Sequence, residues 1–219
     1  MNINEAVAAR HSVRQYQDKP IEEDKLCRLQ EAVEECNRKG NLHIQLVSGD
    51  KRAFDGLMAH YGKFSGVQNY LALVGPKGVD LSERMGYYGE HLVLLAQTLG
   101  LNSCWVGLTF GKTKAVNVGK GERFSAAISL GYGVTQGVQH PMRPVETFAK
   151  VSTAPDWFRR GVECAMLAPT AMNQQKFRFA LLPDGSVQAT TRFGSFAQMD
   201  LGIAKYHFEL GAGHQVTWK

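Results

Sequence analysis

Residues 82–105 read SERMGYYGEHLVLLAQTLGLNSCW, and their pattern is the strongest indication of the fold class. It carries apolar residues at helical spacing: Met85, Tyr88, Leu92, Leu95 and Leu99. Because further apolar residues flank this stripe, the pattern predicts a helix over 82–99 that is buried on nearly all sides. Gly100 is a typical helix stop, and the residues after it predict a strand over Asn102–Leu108. A long buried helix that leads straight into a strand indicates a domain of mixed secondary structure.

The elements on either side of this stretch repeat one order. In the first part the patterns predict a helix capped by Asn2 with Glu5 three positions on, a helix over 22–38 that stops at Gly40, strands over Leu42–Val47 and Tyr70–Val74, a short helix near 112–117 and a strand over Ala126–Tyr132. In the second part they predict a helix over Pro155–Leu167, strands over 176–182 and 187–192, a helix over 197–210 and a closing strand over His214–Trp218. Helix–strand–strand–helix–strand, twice, predicts an α+β fold. We expect one domain over 1–219 with pseudo-repeat halves at about 1–132 and 154–219, sharing one core and joined by a connector over 133–153.

The composition is that of a soluble globular protein. Of the 219 residues, 44% are hydrophobic and 21% are charged, and no apolar run reaches the ~18–20 residues that a membrane helix needs. The N-terminus lacks the basic and apolar regions of a signal peptide, so we expect a cytoplasmic protein with no membrane partner. The four cysteines show no metal-like spacing, and we expect free thiols and no metal site: Cys27, Cys36, Cys104 and Cys164.

The basic charge balance raises the question of a nucleic-acid partner. The net charge is +5 and the isoelectric point is near 9.0. Lysine and arginine are scattered, however, and no nucleic-acid motif is present, so we expect no nucleic-acid partner. A modest basic excess also suits a protein that holds a phosphorylated cofactor and takes electrons from an anionic dinucleotide.

Two arginines flank a hydroxyl group where the first predicted helix ends. The segment 10–14 reads RHSVR. Guanidinium groups bind phosphate through paired hydrogen bonds, and Ser12 adds a hydroxyl and a backbone N–H. The segment therefore predicts anion binding. Taken alone, the spacing of Arg10 and Arg14 is also typical of a solvated helix face.

A second segment places short polar side chains after a helix. Residues 168–179 read APTAMNQQKFRF, in which Pro169 ends the helix. Thr170 and Asn173 are side chains that hydrogen-bond within turns. The alternative from these residues alone is a helix exit followed by an edge strand.

A third segment combines a tryptophan with glycine at a strand. Residues 99–108 read LGLNSCWVGL. Because Gly107 has no side chain, a ligand can approach the backbone closely there. The alternative is simply a buried Trp105 at the start of a strand.

These three segments resemble the FMN-dependent nitroreductase family. Residues 9–16 are similar to its R-R-S-x-R-x-F/Y opening, residues 168–179 to its A-P-S-x-x-N-x-Q-P-W-x-F signature, and residues 99–108 to its L-G-L-G-S-C-W-I-G-G segment. This sequence departs from those patterns at several positions: His11 replaces Arg, Thr170 replaces Ser, Lys176 replaces Pro and Phe177 replaces Trp. The resemblance implies a nitroreductase-like fold with FMN as the cofactor.

The resemblance also implies a role for each matched position. The first segment would contact the FMN phosphate and ribityl chain, with Arg14 near the pyrimidine edge of the ring: Arg10, His11, Ser12 and Arg14. The second segment would contribute flavin neighbours: Pro169, Thr170 and Asn173. The third would lay its backbone against the ring and present an N–H to N5: Trp105, Val106, Gly107 and Leu108. Residues 128–133 are similar to the family's L-S-L-G-Y-P strand, after which a basic residue before proline reaches the phosphate. Arg143, one position off that register, is the candidate.

One motif is displaced relative to ordinary family members. In those proteins the A-P-S segment follows the second helix, whereas residues 32–40 lack it here and it occurs only in the second half. Ordinary members are dimers whose flavin sites take residues from both chains. The displacement is therefore typical of a reduced, tandem subfamily, the putative TM nitroreductases, in which one chain replaces the dimer. It implies one FMN per chain and a monomeric pseudo-dimer or a weak homo-oligomer.

The expected activity follows from the flavin. The resemblance implies NAD(P)H-driven, ping-pong reduction of a small-molecule acceptor, such as a nitroaromatic or a quinone, through flavin N5. We therefore predict no catalytic side chain. Two alternatives stay open, a same-fold flavin enzyme with another acceptor (enone reduction, dehalogenation) and a non-catalytic flavin- or nucleotide-binding protein.

Overall fold

The computed structural model describes residues 1–54, 62–107, 111 and 113–219. In these residues the helices are α1 (Ile3–Ala9), α2 (Glu23–Gly40), α3 (Leu81–Thr98), α4 (Asp156–Ala165) and α5 (Ala197–Ala212). The strands are β1 (Gln45–Val47), β2 (Asn69–Pro76), β3 (Asn102–Val106), β4 (Glu122–Gly131), β5 (Phe177–Leu181) and β6 (Val187–Thr191). Short 3-10 turns lie at Arg52–Phe54, Val145–Thr147 and Ala171–Asn173. Helices accompany antiparallel sheets, which confirms the α+β class.

The chain divides into two compact units. Unit 1 comprises Met1–Leu81 and Leu92–Gln139, and unit 2 comprises Ser82–His91 and His140–Lys219. The single domain with halves at about 1–132 and 154–219 stays a prediction. No helix in the described ranges is long and apolar enough to cross a membrane.

Unit 1 is built on a four-stranded antiparallel sheet in the order β1–β2–β4–β3. β2 is central, and all its residues but the last are buried. β4 pairs with β2 along its length, from Asn69↔Leu130 to Pro76↔Glu122, with a register shift between Leu73 and Val74. β3 pairs with the last residues of β4, from Asn102↔Gly131 to Val106↔Ala127. The ladder therefore fixes β3 beside the strand that resembles L-S-L-G-Y-P.

The ends of the first two helices follow from local chemistry. The predicted cap of α1 is confirmed: the Asn2 side chain accepts a hydrogen bond from Glu5 N at 2.9 Å, and the Glu5 carboxylate accepts one from Asn2 N at 2.8 Å. The predicted stop of the second helix is one residue early. Gly40 is still helical, and Asn41 takes the left-handed conformation with φ 46°. Asparagine tolerates this conformation better than other residues with a side chain, so it ends the helix in place of the glycine.

Unit 2 packs two helices and residues 82–91 of α3 with a β-hairpin. β5 and β6 pair from Phe177↔Thr191 to Leu181↔Val187. The buried face of the hairpin meets α5, where the ring centroids of Phe179 and Phe208 are 4.8 Å apart. Phe208 also contacts Phe158 of α4, with a centroid distance of 5.5 Å. An aromatic core thus joins the hairpin to both helices.

Two glycines allow α3 and α5 to cross closely. A Cβ on Gly86 would lie 2.0 Å from the carbonyl oxygen of Met199, and a Cβ on Gly202 would lie 1.9 Å from that of Glu83. Any larger residue would have to push the helix backbones apart. The long helix is confirmed at 81–98, and no residue in it is exposed.

Polar side chains pair between the same two helices, one pair fully buried and one partly buried. His207 Nε2 lies 2.9 Å from Glu90 Oε1, and both side chains are fully buried. The other ring nitrogen, Nδ1, lies 3.2 Å from the carbonyl oxygen of Cys164. Lys205 Nζ pairs with Glu83 at 2.5 Å. Because a lone buried charge is costly, these groups stabilise the crossing only as partners.

The first predicted strand is shorter than expected, and a predicted short helix is absent. The strand expected over 42–47 is β1, Gln45–Val47, because the Asn37 side chain binds the backbone N–H and carbonyl of Ile44 at 2.7 and 2.9 Å. Residues 113–117 are not helical, and Lys112 lies outside the described residues. The Thr113 hydroxyl accepts a hydrogen bond from Ala115 N at 3.0 Å, and such local bonds compete with a helix.

The predicted closing strand over 214–218 is reduced to a single bridge. Trp218 pairs in parallel with Val187, whose N–H donates to Thr217 O at 2.9 Å. The side chain of Trp218 points to α5, where its indole N–H donates to the Glu209 carboxylate at 2.8 Å. That bond ties the C-terminal segment to α5, so only its last residues reach the hairpin.

Candidate functional site

In unit 1 the segment 10–14 runs from the end of α1 to the edge of the sheet. Arg10 caps α1, and its N–H donates to Ala6 O at 2.9 Å. Ser12 forms a parallel bridge with Ser103 of β3, and Val13 N donates to Ser103 O at 3.0 Å. The structure thus brings the first and third predicted segments side by side.

The basic and hydroxyl groups of this segment differ in exposure. Arg10 is 4% exposed, His11 is half-buried, and Ser12 and Arg14 are exposed. Burial and the charge of Arg10 lower the pKa of His11. Exposed cationic and hydroxyl groups beside a buried arginine form a surface that can accept an anion.

Cys104 of β3 lies at the centre of this arrangement. Burial raises the pKa of the Cys104 thiol, while the charges of Arg14 and Arg10 and a hydrogen bond from the Ser12 side chain oppose that shift. The charges of both guanidinium groups therefore act on the Cys104 thiol. A buried thiol with a raised pKa is a poor nucleophile near neutral pH.

Tyr16 anchors the segment to β4. Its hydroxyl donates to Val13 O at 2.7 Å and lies 2.8 Å from the Ser129 hydroxyl. Tyr16 is buried, which raises the pKa of its phenol well above the ordinary value. Because Ser129 pairs with Cys104 in the ladder, one tyrosine links the segment, β3 and β4.

The third predicted segment spans the end of β3. Trp105 is half-buried and Val106 is buried, paired with Ile128 and Ala127 of β4. β3 ends at Val106, so Gly107 follows the ladder and is half-buried. Leu108 lies outside the described residues.

In unit 2 the second predicted segment forms a tight turn after α4. Thr170 precedes the 3-10 turn Ala171–Asn173, and its hydroxyl accepts a hydrogen bond from Gln175 N at 3.1 Å. Three non-glycine residues of this turn have positive φ: Met172 at 51°, Asn173 at 53° and Gln175 at 46°. Pro169 is buried before this turn, and Thr170 and Asn173 are half-buried. Left-handed non-glycine residues cost free energy and indicate a turn held by its surroundings.

Gln175 and Asp200 hold the turn, and the residue patterns did not single them out. The Gln175 amide nitrogen donates to Asn173 Oδ1 at 2.7 Å and to Pro141 O at 2.8 Å. Asp200 accepts hydrogen bonds from Ala171 N at 3.0 Å and from the Gln174 amide at 2.6 Å. Gln175 occupies the glutamine position of the family signature, which was the available signal. Asp200 stands in the first turn of a helix, where an acidic residue is ordinary, so nothing in the pattern marked it.

Burial changes the acidity of Asp200. The side chain is 4% exposed, and desolvation raises its pKa to about 6, although its bonds to Ala171 and Gln174 oppose the shift. A carboxyl group that holds the turn therefore titrates close to neutral pH.

Arg143 lies beside the same turn. Its N–H donates to Gln175 Oε1 at 3.3 Å, and the Asn173 amide donates to Pro141 O at 2.9 Å. The structure thus groups Arg143 with the second predicted segment inside unit 2. Within the described residues, no group of three or more histidine, cysteine, aspartate or glutamate side chains is arranged to hold a metal ion.

The fold is similar to solved nitroreductase structures. A putative nitroreductase from Thermotoga maritima matches with a TM-score of 0.70 and 23% identity, over 96% of this chain and 83% of that chain. A putative nitroreductase in complex with FMN from Desulfovibrio desulfuricans gives a TM-score of 0.53 and 19% identity, over 67% of this chain and 94% of that chain. A putative NADH dehydrogenase/NAD(P)H nitroreductase from Parabacteroides distasonis gives 0.55 and 19%, over 69% and 99%. These likenesses confirm the predicted nitroreductase-like fold.

The family is shown by the sequence itself. A family model described as "Putative TM nitroreductase" matches residues 2–212. No curated protein matches this chain. The chain belongs to the Putative TM nitroreductase family, as the displaced motif predicted.

Proposed function

We propose that this member of the nitroreductase family binds one FMN per chain and is an oxidoreductase driven by NAD(P)H. Its acceptor is a small organic molecule, such as a nitroaromatic or a quinone, reduced in a ping-pong reaction. Family membership and the fold shared with an FMN complex from Desulfovibrio desulfuricans support the flavin. The cytoplasmic location and the pseudo-dimeric or weakly oligomeric state stay predictions from the sequence.

The observation that carries this proposal is the contact between segment 10–14 and β3. The Ser12–Ser103 bridge places an exposed hydroxyl beside the start of β3, and the exposed Arg14 acts on Cys104 of the same strand. Phosphate takes charge-assisted hydrogen bonds from guanidinium and hydroxyl groups, which are the groups present. The residues of unit 1 therefore fit a phosphorylated cofactor.

Each of these residues has a distinct proposed task. Arg10, His11 and Ser12 bind the phosphate and ribityl chain, and the positive charge of Arg14 stabilises negative charge that develops at the pyrimidine edge. Trp105, Val106, Gly107 and Leu108 supply the backbone that lies against the ring. FMN, when bound, supplies the hydride chemistry. The protein orients the donor and acceptor and excludes water.

In unit 2 we propose that the turn after α4 supplies further flavin contacts. Thr170 follows the buried Pro169 and is half-buried, and Asn173 is fixed by Gln175. A turn held by several side-chain hydrogen bonds is preorganised, so it loses little entropy on binding. The contact of Arg143 with the flavin phosphate stays a prediction, and Arg143 lies close to Arg178 of the hairpin.

The experiment is an absorption spectrum of the purified chain, followed by an FMN titration. We expect flavin bands and a stoichiometry near one FMN per chain. Arg14→Ala removes the charged donor and should weaken FMN binding by roughly 10- to 100-fold and slow flavin reduction. Arg28→Ala, an equal change of charge on the exposed face of α2, should bind FMN like the wild type.

Three outcomes would contradict parts of the proposal. Wild-type FMN affinity and reduction rate in Arg14→Ala would remove Arg14 from the site. Two FMN per chain would exclude the tandem arrangement. A yellow protein that does not oxidise NADH or NADPH with nitroaromatics or quinones would be a flavin-binding protein without this activity.

A further inference from the structure

One face of the β5–β6 hairpin is basic. Arg178 of β5 pairs with Thr190 of β6, and Arg192 N donates to Lys176 O at 3.4 Å. Because side chains alternate along a strand and directly paired residues share a face, Lys176, Arg178 and Arg192 lie on one side. The opposite side carries Phe177 and Phe179, which are buried. The face of the hairpin that points away from the core therefore carries three cationic side chains.

Arg143 joins this face through the turn after α4. Arg143 N binds Gln175 Oε1 at 3.3 Å, and Arg178 Nη1 lies 3.4 Å from Gln175 O. Burial, and then the charges of Arg192 and Arg143, lower the pKa of Arg178. The charges of Arg192 and Arg143 thus both act on the Arg178 guanidinium.

In the described part of the chain no ion pair joins Arg143, Arg178 or Arg192 to an acidic residue. The charge of Lys176 lowers the pKa of Asp200, and Glu146 lines the adjoining cavity together with Arg178. Like charges held together without a paired carboxylate are unfavourable, and a bound anion would relieve the repulsion.

A cavity adjoins the cluster at Arg178, between β5 and the segment 146–154. Its volume is about 640 Å³, within the range of small-molecule sites. Arg178 lines it together with Thr147, Lys150 and Thr153, and the Arg178 guanidinium packs over the Phe148 ring at 5.7 Å from its centroid. The stacked guanidinium is oriented by this contact, and a fixed guanidinium fork is suited to phosphate.

We propose that Arg143, Arg178 and Arg192 recognise the 2′-phosphate of the nucleotide donor, so that the chain takes NADPH in preference to NADH. A phosphate monoester carries close to two negative charges near neutral pH and three strong acceptor oxygens, which match three guanidinium groups. NADH has a hydroxyl at the same position and gains nothing from them. This inference rests on the proposed function, in which segment 10–14 binds the FMN phosphate and leaves the hairpin cluster for the donor.

The test compares two fragments of the donor by calorimetry with FMN present. Adenosine 2′,5′-bisphosphate should bind the wild type about tenfold or more tightly than adenosine 5′-monophosphate, since only the former carries the added charge. Arg192→Gln should remove most of that preference and lower the NADPH-to-NADH ratio of kcat/KM by a similar factor. Arg159→Gln, an equal charge change at an exposed position of α4, should leave both unchanged. Arg192 is exposed, so its replacement is expected to fold normally.

The outcomes separate this inference from the proposed function. Equal binding of the two fragments, or an equal loss in Arg159→Gln, would overturn it. Weaker FMN binding in Arg192→Gln would overturn it too, because the cluster would then serve the flavin phosphate. A chain that binds the bisphosphate through Arg192 but binds no FMN would contradict the proposed function while preserving the phosphate site.

Discussion

The two units hold their candidate flavin contacts in different ways. In unit 1, segment 10–14 is joined to β3 by backbone pairing at Ser103, and β3 is paired along its length with β4. In unit 2, residues 169–175 form a turn with left-handed residues that is held by the side chains of Gln175 and Asp200. Backbone ladders tolerate changes of side chain, whereas a turn of this kind depends on a few buried polar groups. Single substitutions should therefore act more strongly in unit 2.

The largest effect is expected at the helix crossing of unit 2. In Gly202→Ala the new Cβ would lie 1.9 Å from Glu83 O and 2.8 Å from Tyr87 N, and both are backbone atoms that cannot move independently. The free energy of unfolding should fall by roughly 3 kcal/mol or more, measured by chemical denaturation. Gln198→Ala, an exposed position on the same helix, should change it by less than about 0.5 kcal/mol. Equal stability of the two variants would contradict the close approach of α3 and α5 at Gly202.

The next effect depends on pH and concerns the carboxyl group that holds the turn. The pKa of Asp200 is raised from 3.8 to about 6, so the folded state binds this proton more tightly than the unfolded state does. Its contribution to stability is present at acid pH and is lost as pH rises from about 4 to 6. Relative to Asp200→Asn, the wild type should lose up to about 3 kcal/mol across that window in denaturation curves.

A second aspartate provides a control of opposite sign. Hydrogen bonds from Ser186 lower the pKa of Asp184, which is exposed in the hairpin turn. Relative to Asp184→Asn, the wild type should gain stability as pH rises through the acid range. If the difference between wild type and Asp200→Asn does not vary with pH, Asp200 is not the buried carboxyl group that titrates while holding the turn.

The smallest effect is expected in unit 1. Tyr16→Phe removes a buried hydroxyl that donates to Val13 O and contacts Ser129, and the loss should be about 1–2 kcal/mol because the ladder remains. Tyr132→Phe, whose hydroxyl contacts Glu22 and Lys25 near the surface, should cost less, about 0.5 kcal/mol. A loss in Tyr16→Phe as large as in Gly202→Ala would reverse the contrast between the units.

Much of the fold could be predicted from periodicity and caps. The helix over 82–99 is found at 81–98, and the Asn2 cap is present with both of its hydrogen bonds. These features depend on residues a few positions apart, so the sequence specifies them locally. The closing strand over 214–218 was overestimated, because the distant carboxylate of Glu209 takes the Trp218 indole.

In the candidate site too, local features could be predicted from the sequence and long-range contacts could not. Sequence similarity selected Arg10, Ser12 and Arg14 and the segment containing Thr170 and Asn173, because a motif preserves residue types and their spacing. It did not select Asp200, which is 29 residues from its partner Ala171 and meets it only when α5 packs beside the turn.

By itself, the sequence determined the fold class, the family and the order of helices and strands, because hydrophobic period, capping and motif spacing act over short stretches of chain. Tertiary packing sets three further features: the two arginine charges that act on Cys104, the raised pKa of Asp200 and the grouping of Arg143 and Arg192 around Arg178. Desolvation and Coulomb interaction depend on distance in space, and residues 143, 178 and 192 become neighbours only through the hairpin and the turn that precedes it.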